Sequence, residues 1–142
     1  MIVILDTNVL VSALRSQYGA SYAVLQALDE HRFEIALTLP LYLEYRDVLG
    51  RDGMVPPELT QNDVIDFCQG LAEMAHLHDV HYLWRPWVHD PKDDLVLEAA
   101  LASSARQVVT HNVKDFVGKG IEDGLGVQIV TPASFLKILG GD

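Results

Sequence analysis

The chain has 142 residues, 49 % of them hydrophobic and 21 % charged, the composition of one globular domain that can bury a core without disulfide or metal staples. Twenty Asp and Glu against ten Lys and Arg give a formal net charge of −10, which argues against nucleic-acid binding through a simple basic face and against adhesion to an anionic membrane. The single cysteine, Cys68, excludes an intrachain disulfide and fits a reducing compartment, and no apolar run approaches the ~20 residues that span a bilayer.

Ile2–Leu5 is a continuous apolar run, the mark of a strand buried on both faces. It has no basic lead and runs straight into Asp6, so a strand is expected and not a signal peptide, with the cytoplasm as the expected compartment. Asp6, Thr7 and Asn8 break the strand with capping residues, and Val9–Arg15 is expected to form a first helical turn. Ser21–His31 predicts a fuller helix with Val24, Leu25 and Leu28 inward, and Phe33–Leu37 a second strand. Thr38 and Pro40 open a helix that runs to about Leu49. Arg51–Pro57 is a loop, after which Thr60 caps a helix over Gln61–Ala75 whose apolar residues recur at helical spacing. His78–Leu83 is expected as a third strand, Arg85–Pro91 as a loop and Asp93–Ser104 as a helix. Gln107–Thr110 predicts a fourth strand, Val113–Val117 a short helical turn and Gly118–Gly126 a glycine-rich loop. Val127–Val130 is the fifth strand, and Thr131 and Pro132 start a last helix to Leu139. The alternation predicts an α/β fold, a three-layer α/β/α sandwich around a central, mostly parallel five-stranded sheet, as a single domain over residues 1–142.

Sheets of this kind carry ligands at the carboxyl ends of their strands. Asp6 stands at the end of the first strand, and Thr110, His111, Asn112 and Asp115 follow the fourth. Asp90, Asp93 and Asp94 precede the helix that feeds the fourth strand, and Glu44 lies one turn past Pro40. Taken singly, Asp6 suits a helix N-cap, Asp93 and Asp94 suit a helix dipole, Glu44 a solvated surface and Asp115 a turn. Taken together, they would crowd carboxylates into a small volume, where each disfavours the ionisation of the others unless a cation sits among them. Hard oxygen ligands suit Mg²⁺ or Mn²⁺, and a pair of such ions about 4 Å apart is a known device for phosphodiester hydrolysis.

These residues carry a resemblance to the PIN-domain family, and within it to the VapC-like ribonuclease toxins of toxin–antitoxin pairs, over about residues 1–135. The matching pieces are Ile2-Val3-Ile4-Leu5-Asp6-Thr7-Asn8-Val9, Pro40-Leu41-Tyr42-Leu43-Glu44-Tyr45, Asp90-Pro91-Lys92-Asp93-Asp94-Leu95-Val96-Leu97-Glu98-Ala99-Ala100 and Val109-Thr110-His111-Asn112-Val113-Lys114-Asp115-Phe116. The resemblance implies that Asp6 is the first acidic metal ligand, with Asn8 steadying it, and that Glu44 is the second. Spacing to Val96 and Ala100 favours Asp93 as the third acid, with Asp94 one step away as the alternative. The fourth position falls to Asn112 or Asp115, and the missing charge on Asn112 favours Asp115; Thr110 would orient that end. The family implies cleavage of single-stranded RNA with Mg²⁺ or Mn²⁺, a homodimer, and a small antitoxin as partner. No membrane partner is expected, from the net charge and the absence of a spanning run.

The residues also bear other readings. Asp6 could be a phosphate-accepting nucleophile, but haloacid-dehalogenase phosphatases need a second Asp where this chain has Asn8. A non-catalytic RNA- or protein-binding module is the other alternative, as is an RNA-processing nuclease that is not a toxin. Arg15, Arg46, Arg51, Lys92, Lys114 and Lys119 lie close in sequence to the motifs and are the candidates for phosphate contacts. His76, His78 and His81 cross a helix end and a strand, poor geometry for three metal ligands. Cys68 is expected in the core, and Trp84 and Trp87 as a packing plug or dimer contact. The acidity thus changes meaning: it argues against metal-free RNA binding, since bound divalent ions would turn the site from phosphate-repelling to phosphate-attracting.

Overall fold

The computed structural model describes residues 1–79, 91–116, 124 and 126–140, with the side chains of all but 91–93. Five parallel strands run in the order β3-β2-β1-β4-β5: β1 (Ile2–Leu5), β2 (Glu34–Leu37), β3 (His76–Leu77), β4 (Gln107–Val109) and β5 (Gln128–Val130). The helices between them are α1 (Thr7–Arg15), α2 (Ala20–Asp29), α3 (Leu39–Leu49), α4 (Gln61–Met74), α5 (Pro91–Ser103) and α6 (Pro132–Gly140). The three-layer α/β/α architecture is the one the alternation of elements predicts, and every strand pair is parallel.

The central strands are short and wholly apolar inward. Val3, Ile4 and Leu5, then Ile35, Ala36 and Leu37, then Val108 and Val109 are all buried, as strands covered on both faces require. α5 lies against β1, β2 and β4 and packs on α3. Its Val96, Leu97, Ala99 and Ala100 are buried on nearly successive positions, so it is a core helix with little amphipathic face. On the other side α1, α2 and α6 pack together, and Phe135 of α6 meets Phe33 edge to face with ring centroids 4.9 Å apart.

Helix ends follow from their caps. Thr60 and Asp63 form a reciprocal capping box at the start of α4, and Thr38 caps α3 through Leu41 N–H. α2 and α5 end with His31 and Ser104 in the left-handed region, at φ 59° each. In both, the next residue's N–H returns to a carbonyl five positions back, Arg32 to Ala27 and Ala105 to Ala100, each 3.0 Å.

The third strand is displaced from its expected place. It begins at His76 and runs over His76–Leu77, two residues before the expected start at His78, because α4 ends at Met74 and Ala75 is already extended; residues 80–83 of the expected strand lie outside the described residues. The four-residue β2 then pairs through Ala36 with His76 and Leu37 with Leu77, and His78 N–H closes the ladder on the Leu37 carbonyl at 2.9 Å. The expectations that fall on Asp90, His81, Lys119, Trp84 and Trp87, and on most of Gly118–Gly126, lie outside the described residues.

Candidate active site

The strand order reverses direction between β1 and β4, the place where a doubly wound sheet opens a crevice. Register sets what meets there. Leu5 is opposite Val109, so Asp6 and Thr110, each one residue further, leave the sheet side by side. Asp6 N–H still donates to the Val109 carbonyl at 2.9 Å.

Asp6 is the N-cap of α1 and is 8 % exposed. Its Oδ1 accepts from Thr7 N–H at 2.8 Å; its Oδ2 accepts from the Thr110 hydroxyl at 2.7 Å and from the Asn8 amide at 3.3 Å. Three donors and the positive end of α1 favour the ionised carboxylate. The capping and functional readings of Asp6 therefore describe one arrangement.

Asn8 joins the two strand ends. Its amide also reaches the Thr110 hydroxyl oxygen at 3.2 Å, and its Oδ1 accepts from His111 N–H at 3.2 Å. Asn112 N–H donates to the same Thr110 oxygen at 3.0 Å, so the backbone of Asn112 enters this network. The His111 ring is fixed through Nε2 to the buried Ser21 hydroxyl at 2.7 Å.

The other acids come from three directions. Glu44 is half-buried on α3, beside Tyr45, whose fully buried hydroxyl donates to the Leu5 carbonyl immediately before Asp6. Burial, then the charge of Asp6, pushes the Tyr45 hydroxyl well above its ordinary 10.0. Asp94 is 9 % exposed on α5, and Glu98, one turn on, is equally buried. Burial, then the charge of Asp94, raises the Glu98 carboxyl above its ordinary 4.5. Asp93 belongs to α5, but its side chain lies outside the described residues. Asp115 is exposed on a 3₁₀ turn over Val113–Asp115 that continues from β4. Among the described residues no group of three or more His, Cys, Asp and Glu side chains is gathered closely enough to enclose a metal ion. Glu98 and Tyr45 carry no role in the sequence reading; the i, i+4 spacing to Asp94 is the signal for the first.

Several of the other candidates have structural partners. His76 Nε2 meets Glu34 at 2.8 Å and holds that carboxyl below its ordinary 4.5. Arg51 pairs with Asp47 at 2.6 Å, and Arg46 lies over the Tyr42 ring at 6.0 Å. Cys68 is buried in the core, as expected.

Residues 2–114 match the PIN-domain family, about four-fifths of the chain. The chain is a PIN domain. PIN domains are generally nucleases that use divalent metals. No curated protein sequence matches this PIN domain. Among solved structures it is similar to the crystal structure of VapBC2 from Rickettsia felis bound to a DNA fragment from its promoter. That match has a TM-score of 0.57 and 16 % identity, and it covers 92 % of this chain and 98 % of the other. At that identity the likeness establishes the fold. Among the described residues no helix is long and apolar enough to cross a membrane.

Proposed function

We propose that this PIN domain is a Mg²⁺- or Mn²⁺-dependent endoribonuclease that hydrolyses single-stranded RNA in the cytoplasm, as the toxin of a toxin–antitoxin pair. The observation that carries the reading is the Asp6 carboxylate, fixed by Thr7, Asn8 and Thr110 at the switch point of the sheet. The donor set suits a hard cation because it is all oxygen, and burial, then the charge of Asp94, raises the Glu98 carboxyl beside it. Asp6, Glu44, Asp115 and one of Asp93 and Asp94 would hold the ion. Spacing to Val96 and Ala100 keeps Asp93 in the set, and Asp94 enters it as a carboxylate only 9 % exposed on α5. When bound, the metal supplies Lewis acidity and an activated water for phosphodiester hydrolysis.

The chain's own part is preorganisation. The Thr110 hydroxyl donates a hydrogen bond to Asp6, which holds that carboxylate aimed. Asn8 spans the two strand ends, and Tyr45 ties the helix bearing Glu44 to the strand bearing Asp6. Thr110, Asn8 and Tyr45 are positioning residues. The homodimer and the small antitoxin partner belong to the same reading, supported by the family and by a fold shared with a VapBC complex.

The test is incubation with a pool of cellular RNAs and Mn²⁺, mapping cut sites in the wild type, Asp6→Asn and Glu44→Gln. Cleavage by the wild type alone is expected. Comparable cleavage by Asp6→Asn would overturn the mechanism. No cleavage and no Mn²⁺-dependent rise in melting temperature would leave a non-catalytic binding module.

A further inference from the structure

An open groove of about 500 Å³ runs along α1, away from the candidate active site. Thr7 and Asn8 line its near end, beside Asp6, and His111 stands there with them. Val11, Val48 and Met54 are its apolar part, and Ser12, Ser16 and Arg15 line the far end. At ~1.5 Å per residue, Arg15 lies roughly 12 Å along the helix from Thr7.

Arg15 is built in place. Its Nε donates to the Met54 carbonyl at 2.8 Å and its Nη2 to the Gly53 carbonyl at 2.7 Å. Gly53 takes φ +79°, the left-handed conformation that glycine adopts without strain. Two of the five guanidinium N–H groups are committed, both to uncharged oxygens. The ion pairs among the described residues are Arg51–Asp47 and His76–Glu34, so no carboxylate neutralises Arg15 there. A rigid cation with spare donors at one end, an apolar floor and a fixed imidazole next to the catalytic carboxylate form one continuous channel.

We infer that this groove holds the RNA strand adjoining the scissile linkage, with a neighbouring phosphate on Arg15 and an unpaired base over Val11, Val48 and Met54. The inference rests on the nuclease reading above and deepens it. Arg15 offers a fork suited to phosphate oxygens, and the apolar floor offers sequence-tolerant contact to a base. The acidic chain thereby gains a local phosphate contact that is independent of metal.

The test is fluorescence anisotropy of a labelled single-stranded RNA oligonucleotide in the Asp6→Asn background, which spares the probe. Adding Arg15→Gln should weaken binding about tenfold and reduce the salt slope by about one. Arg15→Lys should keep most of the salt slope but lose affinity, since lysine cannot make both carbonyl contacts. Val11→Trp, which fills the groove, should also weaken binding. Unchanged affinity in both Arg15→Gln and Val11→Trp, or no RNA binding at all, would overturn the groove. A thermal shift with Mn²⁺ separates this from the nuclease reading: Arg15→Gln should keep the wild-type shift, whereas Asp6→Asn should lose it.

Discussion

The Tyr45 hydroxyl donates to the main-chain carbonyl of Leu5, across 40 residues of sequence and entirely inside the core. This bond fixes α3 against the end of β1, so it sets Glu44 relative to Asp6. Its raised pKa keeps the hydroxyl protonated, and therefore a donor, throughout the working pH range. Tyr45→Phe should cost about 1–3 kcal/mol, since a buried carbonyl loses its partner. Urea denaturation measures that loss. The Mn²⁺-dependent thermal shift should fall in parallel, which a packing defect remote from the site would not produce.

Thr110→Val removes the hydroxyl that serves both Asp6 and Asn112 while keeping the side-chain shape. We expect at least a tenfold loss of RNA cleavage and a folded protein by circular dichroism. Thr110→Ser should restore most of the activity. Full activity in Thr110→Val would remove Thr110 from the positioning network.

Asp94→Asn and Asp93→Asn, compared side by side, decide the third acid. With Asp94 only 9 % exposed, we expect Asp94→Asn to abolish cleavage and Asp93→Asn to retain more of it. The reverse order would return the role to Asp93.

The fold was legible because β1 is an unbroken apolar run, because β2 and β4 are apolar after their first residues, Glu34 and Gln107, and because Thr38, Thr60 and Pro40 are strong helix-start signals. Asp6 and Thr110 were legible as strand ends. The choice between Asp93 and Asp94 was not, since adjacent helical residues point about 100° apart. A helix with apolar residues all round gives no face to measure that angle from. β3 was misplaced because its position is set by where α4 stops and by the length of β2, not by its own hydrophobicity; Leu77 is 68 % exposed. The Tyr45–Leu5, Asn8–His111 and Arg15–Met54 contacts join residues 39 to 103 positions apart, and no local pattern encodes them.

His31 occupies the left-handed region at φ 59°, where glycine rests without penalty. His31→Gly should stabilise the fold by about 0.5–1 kcal/mol, the relief of a side-chain clash less the extra freedom of the unfolded glycine. A rise in the urea midpoint at unchanged slope checks it. A fall would show that the His31 side chain contributes contacts that outweigh the strain.

Burial pushes the Cys68 thiol up to about 11, with the Arg46 charge acting in the opposite direction. The unfolded thiol ionises near its ordinary 9.0, before the folded one. Stability from this group is therefore intact below about pH 9 and declines as pH rises towards 11. The stability gap between the wild type and Cys68→Ala should narrow over that window, and a thiol reagent at pH 8 should label only unfolded protein. Rapid labelling of the native state would contradict the burial.

The bond from Thr110 to Asp6 spans 104 positions of the chain. A ribosome adding ~5–20 residues per second makes Asp6 roughly 5–20 s before Thr110 exists. During that interval the carboxylate has neither its hydroxyl donor nor the β4 strand that shelters it. If the site cuts RNA, it is assembled last, by the stretch of chain that arrives after most of the domain has been made. Such a nuclease would come into force only after release, sparing the message and the ribosome that are producing it.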